Sequence, residues 1–212
     1  MVLWSVFSDP CGVRSELIYA DLLTMIEGDP SHAASLYTEI GYKVIGRVDV
    51  DKIHNIGELL IIPRKVVKDI SLFRPSSGFL VAFRPNTRSD ARRAGKVRRA
   101  STLLFDHNNI DLCDEEQIEV MRRGSLAIEI VISALLDNKI MPRFLSRIIR
   151  CVRLAAKEGI DVAFSSGARD PVEIWAPGSI RILYALVDRR FINMAFGWVE
   201  VVRRWRPGLN LY

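Results

Sequence analysis

The chain has 212 residues, 49% of them hydrophobic, and a net charge of +5, and its apolar content suffices for one sizeable core in a single domain. No apolar stretch approaches the roughly 20 residues that span a bilayer, and the amino terminus lacks a signal-peptide pattern, so we expect a cytoplasmic protein with no membrane partner. Cys11, Cys113 and Cys151 are far apart in sequence and predict neither a disulfide framework nor a zinc site.

The amino-terminal half is predicted to contain four strands and one helix. We treat residues 1–16 as an amino-terminal extension and begin the domain at residue 17. The predicted strands are residues 17–26, 42–48, 59–62 and 78–83, with a basic stretch at residues 64–68 between the last two. Asp29, Pro30 and Ser31 form a helix start, and Gly41 forms its end.

The excess positive charge is concentrated in one segment. Between Arg84 and Arg99 lie seven basic residues and one acidic residue, and the remainder of the chain is nearly neutral. In a helix, Arg88, Arg92, Lys96 and Arg99 lie within about a quarter of the circumference. A solvated face is the bland alternative, but no acids at helical spacing compensate these arginines, so the pattern favours a polyanionic partner.

From residue 79 onward, short apolar strands alternate with helices. Strands are predicted at residues 102–105, 127–132 and 162–164, and helices are predicted to begin at Ser89, Asp114, Pro142 and Pro177. This alternation predicts a parallel sheet, and about seven strands slightly favour a closed barrel over a doubly wound sheet. The domain is predicted to end at residue 205, followed by a basic tail at residues 206–212.

The predicted helix from Pro142 is amphipathic. Its predicted buried stripe consists of Leu145, Ile148, Ile149, Val152 and Ala156. Its outer face carries Arg143, Arg147, Arg150 and Lys157. We interpret this basic face as solvated, although anion binding is the alternative.

Residues 165–178 have the pattern of a site at the end of a strand. An apolar run ends in Ser165, Ser166 and Gly167, which is typical of a buried parallel strand that emerges into a loop at its carboxyl end. Arg169 follows, beside a helix start whose dipole favours anions. Parallel α/β folds place functional groups at such positions, so Arg169 is a candidate phosphate contact.

Two segments resemble component 3, a protein subunit family of archaeal and eukaryotic ribonuclease P. One runs from Ser165-Ser166-Gly167-Ala168 to Glu173-Ile174-Trp175-Ala176-Pro177, and the other joins Leu103-Leu104-Phe105-Asp106 to the run from Ala127 to Leu136. The residues that match the family motifs are Asp106, Glu129, Ser133, Ser165, Ser166, Gly167, Glu173 and Pro177. The family has Arg-Gly where this chain has Trp175-Ala176, so an RNA contact by that arginine does not carry over.

The resemblance covers about residues 79–205 and implies a fold and a function. The implied fold is a single-domain, irregular TIM-like (β/α) barrel similar to the polymerase and histidinol phosphatase barrel. The implied function is that of a ribonuclease P subunit, which supports removal of the 5′ leader from precursor tRNA. In that family the RNA carries the magnesium-dependent cleavage, so we expect no catalytic residue and no bound cofactor in this chain.

The implied partners are ribonuclease P RNA, a small RRM-like protein subunit, the other ribonuclease P proteins and, indirectly, precursor tRNA. The candidate RNA-binding residues are Arg84, Arg88, Arg92, Arg93, Lys96, Arg98, Arg99, His107 and Arg169. Several assignments have structural alternatives. Asp106 closes a turn with Asn108 and Asn109, or with His107 it orients a water or binds a phosphate. Ser165 and Ser166 satisfy loop backbone groups or contact RNA. Glu173 is expected to pair with an arginine, and Trp175 is core or an aromatic platform.

A metal-dependent phosphoesterase on the same kind of barrel, with a degenerate site, is the alternative function. Such a site requires several histidines and carboxylates that converge on two or three metal ions. The histidines of this chain, His32, His54 and His107, are isolated in sequence. We therefore expect no metal site.

Overall fold

The strands of the protein form one sheet that curves into a nearly closed barrel. The computed structural model describes residues 19–26, 29–72, 78–96, 102–187, 197–209 and 211, so the predicted extension at residues 1–16 lies outside it. The strands are β1 (Tyr19–Thr24), β2 (Tyr42–Arg47), β3 (His54–Ile56), β4 (Leu59–Val67), β5 (Leu80–Phe83), β6 (Thr102–Phe105), β7 (Ala127–Val131) and β8 (Val162–Ser165). The order β1-β2-β4-β5-β6-β7-β8 is parallel throughout, and β3 pairs antiparallel with β4.

Helices connect several of these strands and pack against the barrel. They are α1 (Pro30–Ile40), α2 (Arg88–Gly95), α3 (Glu115–Arg122), α4 (Met141–Lys157), α5 (Pro177–Val187) and α6 (Gly197–Trp205). Asp29, Thr87 and Asp114 cap the first three, because each side chain accepts a hydrogen bond from a backbone N–H of the first turn. The prediction of a single-domain, TIM-like α/β barrel is confirmed.

The barrel closes between β1 and the segment after β8. The backbone N–H of Gly167 donates to Leu23 O (2.9 Å), and the N–H of Met25 donates to Ala168 O (2.8 Å). Asp21 adds a side-chain connection, since its carboxylate accepts hydrogen bonds from the backbone N–H (2.9 Å) and the hydroxyl of Ser166. These bonds satisfy backbone groups that an open sheet edge would leave exposed.

A polar cluster fills the middle of the barrel. Arg64 on β4 forms a buried ion pair with Glu129 on β7. Glu129 also accepts hydrogen bonds from Thr102 Oγ1 (2.6 Å) and Ser165 Oγ (2.8 Å). Buried charges require such partners, so the cluster ties β4, β6, β7 and β8 together. Gly46 makes room for it, because a Cβ there would lie 2.6 Å from Arg64 Cγ and 2.0 Å from Leu22 O.

Helix α6 packs against apolar residues in the amino-terminal halves of most of the strands. Its Trp198, Val201, Val202 and Trp205 join a buried cluster with Ala20, Val44, Ile62, Leu80, Ala127 and Ala163. The helix approaches β8 so closely that a Cβ at Gly197 would lie 2.5 Å from Val162 O. Leu211, in the predicted tail, is buried in the same cluster.

Two features of β4 and α4 correct the sequence-based predictions. Strand β4 continues through Arg64 to Val67 instead of ending at residue 62, because Arg64 turns into the barrel and finds Glu129 there. On α4 the buried residues are Phe144, Ile148, Cys151, Val152 and Ala155. The predicted stripe was therefore wrong at Leu145, Ile149 and Ala156, which are only half-buried, because Cys151 and Ala155 face inward instead.

A disulfide joins Cys113 to Cys151, so the prediction that no disulfide forms was wrong. The two residues are 38 positions apart, but α4 packs against the turn that carries Cys113, which brings them together. In the described part of the chain, no helix is long and apolar enough to cross a membrane.

Candidate functional site

A cleft of about 530 Å³ opens at the carboxyl ends of the strands. Its floor includes Leu23, Leu104 and Val131, which belong to a small apolar cluster. Its basic lining residues are Lys68, Arg84 and Arg169, its acidic ones are Asp106, Asp137 and Glu173, and His107 lies beside them. Because formal charges balance in the cleft, its ability to bind an anion depends on which charges are already paired.

Arg84 and Asp106 form an ion pair on the rim of this cleft. Arg84 follows β5 and donates from Nε to Asp106 Oδ2 (2.7 Å), and Asp106 Oδ1 accepts from the backbone N–H of Asn108 (2.8 Å). Partial burial opposes ionisation of Asp106, but the hydrogen bond from Arg84, the one from Asn108 and the nearby positive charge outweigh it and lower its pKa. The remaining guanidinium nitrogens of Arg84 are thereby held at the mouth of the cleft.

Asn109 anchors the turn that presents Asp106. Its Oδ1 accepts from the backbone N–H of Asp106 (2.7 Å), and its Nδ2 donates to Pro85 O (2.9 Å). The turn-closing role predicted for Asp106 with Asn108 and Asn109 is therefore present. It does not exclude a second role, because the same turn positions Arg84.

Arg169 and Lys68 provide unpaired positive charge. Arg169 is exposed, and although its backbone N–H donates to Glu173 Oε2 (2.8 Å), its guanidinium makes no ion pair with any described residue. Lys68, just after β4, is likewise exposed and unpaired within the described ranges. Glu173 thus bonds to the backbone of an arginine, whereas the sequence predicted a pair with an arginine side chain.

Gly167 shapes the cleft beneath Arg169. Its φ of +64° lies in the left-handed region that favours glycine. A Cβ there would lie 2.3 Å from Val131 Cγ1 and 3.6 Å from Ser133 Oγ. Ser133 is half-buried and lines the cleft, and Pro177 begins α5 as predicted.

The predicted basic face of α2 divides into two parts. Arg88, Arg93 and Lys96 are exposed, and among the described residues their ion contacts are long, from Arg88 to Asp114 (3.9 Å) and from Arg93 to Asp90 (4.0 Å). The side chain of Arg92 is only 14% exposed and binds Asp114 (2.6 Å), Glu116 (3.0 Å) and Gln117 (2.8 Å) on or beside α3. Arg98 and Arg99 lie outside the described residues.

Two serines and one glutamate of the family motifs are not at the surface. Ser165, Ser166 and Glu129 are fully buried in the barrel. Their contacts are with Asp21, Arg64 and Thr102, so they hold the barrel together and do not reach a ligand in the cleft. Trp175 is half-buried against the core, and its carbonyl accepts from Tyr42 Oη (2.5 Å).

His107 is exposed on the turn after β6, and its ring meets Phe144 edge-on at 6.3 Å. Lys68 is a basic lining residue that sequence reasoning did not identify as a candidate contact. The signal was present, since Lys68 ends the basic stretch at residues 64–68, but the early predicted end of β4 placed the whole stretch in a connecting loop. Nowhere in the described ranges do three His, Cys, Asp or Glu side chains form a group that could hold a metal ion.

Fold and cleft together define a (β/α) barrel with basic side chains at the carboxyl ends of its strands. Among solved structures, the chain is similar to a chain in the cryo-EM structure of archaeal ribonuclease P with mature tRNA. The TM-score is 0.67 at 15% sequence identity, and the alignment covers 87% of this chain and 90% of that chain. At this identity the likeness concerns the fold. No protein-family model matches the sequence, and no curated protein matches it.

Proposed function

We propose that this chain is a protein subunit of ribonuclease P that binds the catalytic RNA and supports removal of the 5′ leader from precursor tRNA. The observation that carries the proposal is the likeness of fold, over 87% of the chain, to a chain of an archaeal ribonuclease P assembly. The motif resemblance at residues 79–205 supports the same assignment independently, because it rests on residue types and not on backbone shape.

The proposed RNA contacts are the cations at and beside the cleft, of which Arg84 is partly buried and paired with Asp106 while the others are exposed. Arg84, Arg169 and Lys68 lie on the rim, and Arg88, Arg93 and Lys96 lie on α2, which begins four residues after Arg84. Arginine forks suit phosphate oxygens, and neutralising several phosphates releases counterions. In this proposal the chain recognises the phosphate backbone and the shape of the RNA, and the RNA subunit catalyses the magnesium-dependent cleavage. His107, Arg98 and Arg99 remain proposed contacts of the same kind.

Binding of the purified chain to ribonuclease P RNA at increasing salt tests the proposal. We expect log Kd to depend linearly on log salt, with a slope that decreases by about one for each of the proposed contacts Arg84, Arg169, Lys68, Arg88, Arg93 and Lys96 that is replaced by alanine. The same preparation is assayed alone on precursor tRNA and on small phosphoesters with divalent metals. Robust metal-dependent turnover without RNA contradicts the proposal and supports the phosphoesterase alternative.

A further inference from the structure

The outward face of α5 is apolar. Ile182 is 60% exposed and Leu186 is 54% exposed. They are four residues apart, so their side chains are neighbours on the helix surface. By helical spacing Ser179 lies on the same side, with Gly178 and Ala185 beside it, so this face carries one hydroxyl and no charged group.

The inward face of α5 is apolar as well. Ile180, Leu183, Tyr184 and Val187 are buried against the barrel. The one charged residue of the helix, Arg181, is half-buried beside Tyr19, whose hydroxyl lies 3.4 Å from its Nη1. A helix with large apolar residues on both faces is normally covered on both sides, and adjacent exposed apolar residues mark interaction sites.

Basic residues border this face on the side of α4. Arg153 Nη2 donates to Val187 O at the end of α5 (3.2 Å), which places the two helices side by side. Arg150 and Lys157 are exposed on α4 along a shallow groove of about 660 Å³ that also contains Leu145, Ile149 and Leu154. The groove has three basic lining residues, Arg150, Arg153 and Lys157, and one acidic one, Glu115. Among the described residues, Arg150 makes a long contact with Glu115 (3.9 Å), and Lys157 makes no ion pair.

We propose that α5 and the adjoining edge of α4 dock an amphipathic helix of a different polypeptide. Its apolar side covers Ile182 and Leu186, and aspartates or glutamates along one edge face Arg150, Arg153 and Lys157. We define these five residues as the α4–α5 surface. No residue lines both its groove and the rim cleft, so the inference does not depend on the proposed RNA-binding function.

Charge and chemistry select this occupant over others. RNA has no aliphatic groups to cover Ile182 and Leu186, and two exposed large side chains are too few to anchor a membrane surface. A second copy of the chain is a poorer match, because two of the three acids of α3, its most acidic described helix, pair within the chain. These pairs are Glu116 with Arg92 and Glu119 with Arg122.

Two synthetic helical peptides test the proposal on the full chain. Both have a leucine face, and one carries glutamates along one edge where the other carries lysines. We expect the glutamate peptide to bind at least about tenfold more tightly, and Ile182→Ser or Leu186→Ser to weaken it by about tenfold each. The double variant Arg150→Glu/Lys157→Glu is expected to reverse the preference. Val172→Ser is the matched control, since Val172 is exposed but lies in the rim loop after β8.

Several results overturn the inference. Equal binding of both peptides, or glutamate-peptide binding that survives Ile182→Ser, removes the basis for the α4–α5 surface. A dimer in sedimentation that dissociates with Leu186→Ser identifies a second copy as the occupant. Binding of anionic phospholipid vesicles that is lost in the same variants identifies a membrane instead. RNA binding is measured in parallel and is expected to be unchanged in both serine variants, so failure here is distinguishable from failure of the proposed function.

Discussion

Asp106 holds Arg84 at the mouth of the cleft, with Arg84 Nε 2.7 Å from Asp106 Oδ2. The two residues follow neighbouring parallel strands, β5 and β6, so the sheet itself brings them together. An acid next to a proposed phosphate contact has two opposite effects on RNA binding. Its charge repels phosphate, whereas its hydrogen bond fixes the direction of the guanidinium.

Asp106→Ala separates these two effects. We predict that it weakens RNA binding severalfold when Arg84 is present and has little effect in an Arg84→Ala background, because Asp106 acts by positioning Arg84. A double-mutant cycle on Kd measures the coupling. If Asp106→Ala strengthens RNA binding, charge repulsion dominates and the positioning role is refuted.

Arg92 and Arg93 are adjacent in sequence but are predicted to behave differently. Arg92→Ala removes hydrogen bonds to Asp114, Glu116 and Gln117 and is expected to cost about 2 kcal/mol of unfolding free energy with an unchanged salt dependence of RNA binding. Arg93→Ala is expected to leave stability within about 0.5 kcal/mol and to decrease the slope. Denaturant titration and RNA binding at several salt concentrations measure both. A lower slope for Arg92→Ala would contradict its assignment to the α2–α3 contact.

Gly46→Ala is predicted to destabilise the barrel by about 3 kcal/mol or more, because the added methyl group meets Leu22 O and Arg64 Cγ. Gly178→Ala is the matched control, since nothing lies within 4 Å of the position that a Cβ would take there. Urea unfolding of the two variants provides the comparison. Similar stabilities for both variants would show that the barrel interior can accommodate a methyl group at residue 46, which contradicts the close packing of Leu22 and Arg64 around it.

Asp21 is predicted to make stability depend on pH. Burial raises its pKa to about 6, outweighing the hydrogen bonds it receives from Ser166, Tyr37 and Leu23. Because the pKa of Asp21 is higher in the folded state than in the unfolded state, protonation of Asp21 favours folding. This contribution to the free energy of unfolding is fully present below about pH 4 and is lost as pH rises through 6, by up to about 3 kcal/mol.

Thermal unfolding of the wild type and Asp21→Asn between pH 4 and pH 8 measures this effect. The asparagine keeps the side-chain shape but does not titrate. We expect the stability of the wild type relative to the variant to fall as the pH rises through 6. A difference that is constant with pH, or that grows in favour of the wild type, contradicts the assignment to Asp21.

Local features of the sequence were sufficient to predict most helices. Asp29 and Asp114 cap helices where expected, and Pro177 starts α5, because caps and first-turn prolines act within one turn of chain. The alternation of strands and helices likewise predicted the parallel sheet, and the resemblance to the component 3 family predicted that this sheet forms a barrel.

Contacts between residues distant in sequence could not be predicted. The sequence places Asp21 as an acid inside an apolar strand, but it does not identify its hydrogen-bond partner Ser166, which lies 145 residues away. The acids that neutralise Arg92 lie on or just before α3, beyond the reach of an i to i+4 rule. The Cys113–Cys151 bond also depends on how α4 packs and not on spacing.

Omission of this chain from reconstituted ribonuclease P is the strongest test of whether the chain is a subunit that supports cleavage. Ribonuclease P RNA and the remaining protein subunits are assembled with and without it, and removal of the 5′ leader from precursor tRNA is measured over a range of magnesium concentrations. We predict that omission lowers the rate of leader cleavage, most strongly at low magnesium, and that adding the chain back restores it. Cleavage that is unchanged by omission at every magnesium concentration would contradict the assignment.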